Sequence, residues 1–275
     1  MRRHAATLAL VLVALAFGSA PPAGADETRD PPAAVLLPIP ARSQAPESPP
    51  SGWCGETAIQ EGLLHLGVWA PQRVINAAGR PSHPDLYSPE IPVALSALGV
   101  RHTFYAGARG YEPFAKWVRA AIDEGVPVFA GVKLLPTQHP EWGLDHFVLA
   151  VGHGPKGLLV NTTWGSQKWI DGTATTGISL EKAFFGIRMT GLALPERATA
   201  ARLTVLEETS ASVKLRVSCT GVKRDGVYRF EQRSVSGQGK PTWSETTTAR
   251  TDRIEEELTL PAAQTARFLC IDVAR

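Results

Sequence analysis

Apolar residues follow helical spacing in the first half of the chain and strand patterns in the second, and this segregation most constrains the fold. Glycines 67, 99 and 125 supply stop signals after three of the helical segments. Helices are expected at 54–66, 71–78, 89–98 and 113–124, and strands at 100–105, 126–134, 146–151, 158–162 and 187–194, with a short helix near 180–185. Helices followed by an antiparallel sheet predict an α+β domain.

From about residue 202 the pattern is one of short strands alone. Val213, Leu215, Val217 and Cys219 alternate with polar residues, which is typical of a half-buried strand. No helical pattern follows. We therefore expect a small all-β sandwich at 202–275, which resembles fibronectin type III or immunoglobulin-like accessory modules.

The first 25 residues have the composition of a secretory signal peptide: two arginines, an apolar run over 8–17 and small residues up to Ala25. The apolar run is too short to cross a bilayer. We therefore expect cleavage near Ala25, a secreted or periplasmic protein and no membrane anchor. Residues 26–38 are rich in proline and alanine, which predicts a flexible leader.

Net charge argues against two classes of partner. The chain has 28 Lys+Arg and 26 Asp+Glu, and the first 25 residues hold two arginines and no acid. The remainder is formally neutral, so nothing favours nucleic acid or an anionic membrane surface.

Cys54 lies at the predicted start of the first helix. Unpaired N–H groups and the positive end of the helix dipole favour a thiolate there, so we expect a lowered pKa for the thiol. A small buried hydrophobic residue is the alternative interpretation of a lone cysteine. A nucleophile needs a base from elsewhere in the chain.

His146 begins an apolar strand and could supply that base. Asn161 lies on the return strand of an expected hairpin, near where this antiparallel strand would come alongside His146. A thiol, an imidazole that accepts its proton and a third group that orients the ring make up a cysteine peptidase site. A hydrogen-bonded strand-end histidine and a turn-forming asparagine are the plain alternatives. The combination with Cys54 favours the catalytic interpretation.

Three motifs carry a resemblance to a known family: Trp53-Cys54-Gly55, the run 145–152 (DHFVLAVG) and the run 161–165 (NTTWG). Together they resemble papain-like cysteine peptidases, and most closely bacterial peptidases that remove double-glycine leaders from bacteriocins. The resemblance implies a papain-like peptidase domain at 39–195.

The same resemblance implies a role for each matching residue. Cys54 would be the nucleophile, His146 the general base and acid, and Asn161 the residue that orients the imidazole. Trp164 would cover the contact between His146 and Asn161. Because this chain has two residues rather than one between Asn161 and Trp164, Asp171 is an alternative third residue.

The oxyanion hole departs from the family pattern. Ser48 occupies the position at which the family has its glutamine. Gln44 is the candidate instead, provided that the proline-rich segment between it and Cys54 bulges. His139 and His153 show no convincing metal-ligand spacing with His146, so we expect no metal and no cofactor.

The expected function is therefore that of a secreted thiol hydrolase, a cysteine peptidase that cleaves peptide or protein substrates through an acyl-enzyme on Cys54. An alternative keeps this site but acts on peptidoglycan, as an amidase or endopeptidase. Another alternative is a non-catalytic secreted binding protein. In each case the sandwich offers a surface for protein or cell-wall contact.

The division of the chain into a peptidase segment and a sandwich segment also predicts how the cysteines pair. Cys219 and Cys270 each lie in a strand-like run of the sandwich segment, whereas Cys54 has no partner within its own. In an exported protein this pattern predicts a Cys219–Cys270 disulfide and a free Cys54. Two reduced core cysteines are the alternative.

Overall fold

The structure is a computed structural model that describes residues 34–44, 52–138, 140–141, 144–172, 185–194, 198–234 and 240–273. The expected signal peptide, most of the leader, Ser48, His139 and nearly all of the expected helix near 180–185 lie outside these residues. Within the described ranges no helix is long and apolar enough to cross a membrane.

The described chain is α+β, as the sequence predicts, and its sheets are antiparallel. Its helices are α1 (Cys54–His65), α2 (Gln72–Gly79), α3 (Ile91–Ala97) and α4 (Tyr111–Asp123). Its strands are β1 (Val35–Leu36), β2 (Val68–Trp69), β3 (Val100–Phe104), β4 (Val128–Val132), β5 (His146–Gly154), β6 (Gly157–Asn161), β7 (Gln167–Ile170), β8 (Gly186–Leu192), β9 (Ala198–Ala200), β10 (Arg202–Glu208), β11 (Ser212–Thr220), β12 (Val227–Arg233), β13 (Trp243–Thr248), β14 (Arg253–Pro261) and β15 (Ala266–Asp272).

The first sheet has the strand order β3-β8-β4-β5-β6-β7, with β1 added alongside β5. Gly62 of α1 lies against Leu149 of β5, whereas Gly186 of β8 lies against Phe114 of α4. Gly186 pairs with Ala130 of β4, and Ala130 also pairs with Val148 of β5. These three residues share one face of the sheet, and Leu149, the next residue after Val148, lies on the other. Because neighbouring residues of a strand face opposite sides, α1 and α4 cover opposite faces of this sheet.

The C-terminal strands form two further sheets. One has the order β10-β11-β14, and the other has the order β13-β12-β15-β2, with β9 also paired to β15. β2 comes from residues 68–69, far from the rest of its sheet in the sequence. Trp69 pairs with Ala266 and is fully buried in the same core as Phe230 and Phe268. The segment that follows α1 is therefore part of the sandwich.

Helix α1 is enclosed from more than one side. Every residue from Gly55 to His65 is buried. Ile59 and Leu63 belong to the core of the first sheet, while Leu64 belongs to the core of the sandwich. A helix that is buried all round must be held by packing rather than by one apolar face, and here the sandwich provides part of that packing.

Candidate active site

Cys54 is the first residue of α1 and is only partly buried. The N–H groups of Phe147 and Gly55 are directed at its sulfur, which places the thiol beside the peptide bond between His146 and Phe147. Burial raises the pKa of the Cys54 thiol to about 12, and the carboxylates of Glu56 and Asp85 add to this rise. The expected lowering of the pKa at the helix start is not found, because loss of hydration outweighs the helix end.

The imidazole of His146 is buried and held at one nitrogen. Nε2 lies 2.7 Å from the carbonyl oxygen of Thr162 and 3.0 Å from Oγ1 of Thr163. Since a carbonyl only accepts, Nε2 carries the hydrogen and Nδ1 is left as the basic nitrogen. Burial lowers the pKa of His146, against smaller opposing effects of Thr162 and Asp145. The neutral ring is thus favoured.

Trp164 covers this histidine. The two rings stack with centroids 4.3 Å apart and an interplanar angle of 23°. Trp164 is 42% exposed, so its outer face meets solvent while its inner face shields the imidazole. The resemblance implied that Trp164 covers a contact between His146 and Asn161, whereas in the structure it stacks on His146 alone.

The loop from β6 to β7 explains the additional residue before Trp164. Thr163 has φ of +70°, a conformation that β-branched residues rarely adopt. In this conformation its hydroxyl and the preceding carbonyl group both reach His146. Backbone strain of this kind persists where the surrounding structure over-determines it, often at functional sites.

The carboxamide of Asn161 lies away from the imidazole. Its Nδ2 donates to the carbonyl oxygen of Ile39 (3.1 Å), and its Oδ1 accepts from Gln167 (2.9 Å). The hairpin register places Asn161 opposite Leu149, an odd number of residues from His146, so the two side chains start from opposite faces. Thr162 and Thr163 take the position at Nε2 that we expected Asn161 to hold.

Gln44 is brought to the site by residues 34–44, a nearly irregular segment here called the arm. The Gln44 N–H donates to the Thr163 carbonyl group (3.0 Å), and the Thr163 hydroxyl donates to Oε1 of Gln44 (3.5 Å). Nε2 of Gln44 therefore points away from Thr163. It lies against Gly52, where a Cβ atom would come within 2.6 Å of it.

Glu56 holds the segment that forms one side of the site beside Cys54, and it was not among the expected site residues. Its Oε1 accepts from the N–H of Leu86 (2.9 Å) and from Asn76 (2.7 Å). Trp53 donates its indole N–H to Pro84 in the same segment (2.9 Å). Burial raises the pKa of Glu56 to about 7. An acidic residue in the first turn of a helix is common, so no feature of the sequence marked this role.

Other polar residues near these elements have contacts of their own. Asp145 accepts from the N–H groups of Leu134 and Leu135 and lies 3.2 Å from Lys133. Asp171, the alternative third residue, is exposed after β7. His153 pairs with Asp123 at 2.8 Å. Among the described residues no group of His, Cys, Asp or Glu is arranged to hold a metal ion.

Comparison of the chain with protein-family models, with curated proteins and with solved structures found no match. The geometry of the site and its sequence motifs are therefore the observations that bear on function.

Proposed function

We propose that this protein is an exported thiol hydrolase of papain-like type, a cysteine peptidase that forms an acyl-enzyme on Cys54. The observation that carries the proposal is the state of His146. Its Nε2 is fixed on a carbonyl group, its ring is covered by Trp164, and the adjoining peptide N–H meets the Cys54 sulfur. A merely structural histidine does not require this set of contacts beside a thiol.

The pKa values favour activation of the thiol by general base catalysis. Both Cys54 and His146 are neutral near pH 7, since burial disfavours the charged form of each. As the sulfur attacks a carbonyl carbon, Nδ1 of His146 takes the thiol proton. The imidazolium formed is stabilised by the Thr162 carbonyl oxygen at Nε2 and then donates its proton to the leaving amine. Water, deprotonated by the same nitrogen, attacks the thioester and releases the acid.

The negative oxygen of the tetrahedral intermediate needs donors near the start of α1. The backbone N–H of Cys54 and Nε2 of Gln44 are the candidates. Because Oε1 of Gln44 accepts from Thr163, Nε2 is the amide group left to donate. Two donors that are fixed before reaction stabilise this charge without reorganisation.

Substitution of the two central residues tests the proposal. Cys54→Ala and His146→Ala should each abolish turnover in a peptide-library screen, and the double variant should be no less active than either single one, since members of one catalytic unit fail together. His153→Ala is the matched control, because that histidine pairs with Asp123 on the surface. Full activity of Cys54→Ala would end the hydrolase proposal.

The substrate class is decided by a second comparison. Cleavage of library peptides supports the peptidase, whereas release of fragments from purified peptidoglycan without peptide cleavage supports the cell-wall enzyme. A protein that is inactive on both, with a Cys54 that resists alkylation, would be the non-catalytic binding protein.

A further inference from the structure

Two fully buried polar side chains, Asn161 and Glu61, have no part in the chemistry proposed above. Asn161 ends β6, and Glu61 lies on α1 two turns after Cys54. Burying such groups is costly unless they are hydrogen-bonded. Their partners therefore indicate why they are there.

Both side chains bind the backbone of the arm. Asn161 donates to the carbonyl oxygen of Ile39 at 3.1 Å, and a carboxylate oxygen of Glu61 accepts from the N–H of Arg42 at 2.7 Å. The Asn161 carboxamide also lies near Glu61 and lowers the pKa of its carboxyl group, against the larger opposing effect of burial. Gln167 fixes the other end of the carboxamide. The arm is thus tied to α1 and β6 at two points before Gln44.

The arm has little structure of its own to fix its path. Its only strand is β1, with two residues, and Pro38 and Pro40 have no N–H group to donate. Beyond the buried pair, Gly165 donates to the Arg42 carbonyl group and Gln72 to that of Ser43. The position of the Gln44 amide therefore depends on contacts from outside the arm: backbone bonds to the loop between β6 and β7, and the side chains that bind the arm before it.

Building on the proposed function, we propose that Asn161 and Glu61 are positioning residues for Gln44, which clamp the arm so that Nε2 of Gln44 faces the oxyanion. Asn161 then acts on a different partner from the one that the family resemblance implied. If Asn161 oriented His146, its loss would slow every reaction of the thiol. If it positions Gln44, its loss slows only reactions that pass through a tetrahedral oxyanion.

Two probes separate these cases. Iodoacetamide alkylates Cys54 by direct displacement and forms no oxyanion, whereas p-nitrophenyl acetate acylates the thiol through one. Asn161→Ala should lower turnover of p-nitrophenyl acetate by about tenfold to a hundredfold, because small misplacement of a catalytic donor has effects of this size. The alkylation rate of Cys54 and its pH profile should not change.

A double variant tests whether Asn161 acts on turnover through Gln44. Asn161→Ala should cause little further loss in a Gln44→Ala background, since the group it positions is already absent. Asn161→Asp keeps the volume and the acceptor for Gln167 but removes the donor to Ile39, so it should lose turnover as well. Glu61→Gln keeps an acceptor for Arg42 and should retain turnover, while Glu61→Leu should not.

Tyr228→Phe is the control for lost stability, because it removes the hydroxyl that accepts a part-buried hydrogen bond from the Lys223 N–H within the sandwich. Slower alkylation in Asn161→Ala, or losses that multiply with Gln44→Ala, would overturn the clamp while leaving the hydrolase proposal intact. Failure of the unaltered protein to turn over p-nitrophenyl acetate, with Cys54 inert to iodoacetamide, would overturn both.

Discussion

The carbonyl oxygen of Thr162 lies 2.7 Å from Nε2 of His146. A backbone carbonyl fixes the tautomer of the ring as a side-chain amide would, but no substitution of a side chain can remove it. The third member of the proposed site is therefore the loop itself, and its strained Thr163 holds the carbonyl group in place.

Alkylation of Cys54 should depend on pH as expected for a neutral thiol. Because burial raises its pKa to about 12, the thiolate fraction should grow steadily through the alkaline range. The iodoacetamide rate, followed by mapping of the Cys54 peptide, should rise up to pH 10. A rate that is already at its plateau near pH 6 would instead show a preformed thiolate–imidazolium pair.

Replacement of Gln44 by alanine should lower turnover by roughly a hundred- to a thousand-fold, or about 2.7 to 4 kcal/mol, as for other oxyanion donors. Alkylation of Cys54 should be unaffected. Gln264→Ala, the same substitution in a turn of the sandwich, is the matched control. An unchanged turnover rate for Gln44→Ala would mean that another group stabilises the oxyanion.

The contribution of Glu61 to stability should fall as the pH rises from about 4.5 to 8. Burial raises the pKa of Glu61 to about 8, so its carboxyl group binds a proton more tightly in the folded state. The resulting stabilisation is complete below the unfolded value and is lost as pH passes the folded one, by a few kcal/mol. Urea unfolding of Glu61→Gln should show a shallower decline above pH 5. If the stability of Glu61→Gln fell as steeply with pH as that of the unaltered protein, Glu61 would be excluded as the source of the decline.

At the acid end of the pH range, His65 has the opposite effect on stability from Glu61. Burial lowers the pKa of His65 to about 4, so the unfolded chain binds the proton more tightly. The stability that His65 contributes is present above about pH 6.5 and is lost towards pH 4. Between about pH 4.5 and 6.5 this effect and that of Glu61 oppose each other, so the unaltered protein should be most stable within that range. Urea midpoints measured at intervals between pH 4 and 8 check it, and a maximum above pH 8 would contradict it.

The disulfide between Cys219 and Cys270 remains a prediction. The two side chains lie within hydrogen-bonding distance of each other, and this contact raises the pKa of Cys219, while both are present as thiols in the structure. They come from β11 and β15, in different sheets. Closing this loop should stabilise the protein by about 4 kcal/mol. Mass spectrometry of the non-reduced protein, produced in an oxidising compartment, should find a linked peptide pair and label on Cys54 alone. Label on all three cysteines would contradict the bridge.

Trp69 links the two halves of the described chain, so its loss should affect both. Trp69→Ala should reduce the free energy of unfolding by about 3 to 5 kcal/mol. Trp243→Ala, at a partly buried tryptophan of the sandwich, should cost less. Denaturant unfolding with parallel assays of turnover checks the pair. Equal losses would show that β2 contributes nothing beyond ordinary burial.

Helix and strand positions could be predicted where periodicity was strong. The helix starting at Cys54 and the strand starting at His146 lie where their apolar patterns placed them. β2 could not be predicted, because two residues have no period and their partner strand lies almost two hundred residues later. Short strands of this kind are set by tertiary contacts rather than by local sequence.

The places of Cys54 and His146 at the starts of α1 and β5 could be predicted, but the group that contacts Nε2 of His146 could not. A regular hairpin would place Asn161 opposite Ala150, on the same face as His146. A register shift between Ala150 and Gly152 places it opposite Leu149 instead. A bulge of this kind adds one residue to one strand and reverses which faces meet. The role of Glu61 was hidden for another reason, since a helical glutamate gives no sign of being buried.

The pairing of β2 with β15 has a consequence for synthesis. β15 is the last strand of the described chain, so a ribosome must extend the polypeptide past residue 266 before α1 can be enclosed. Contacts this distant in sequence form late and slowly. We expect nascent chains that stop before residue 266 to lack a finished site and to hydrolyse no p-nitrophenyl acetate, and activity in such chains would refute this. For a hydrolase of the proposed kind, this order of assembly means that the chain gains activity towards other proteins only after residue 266 has been added.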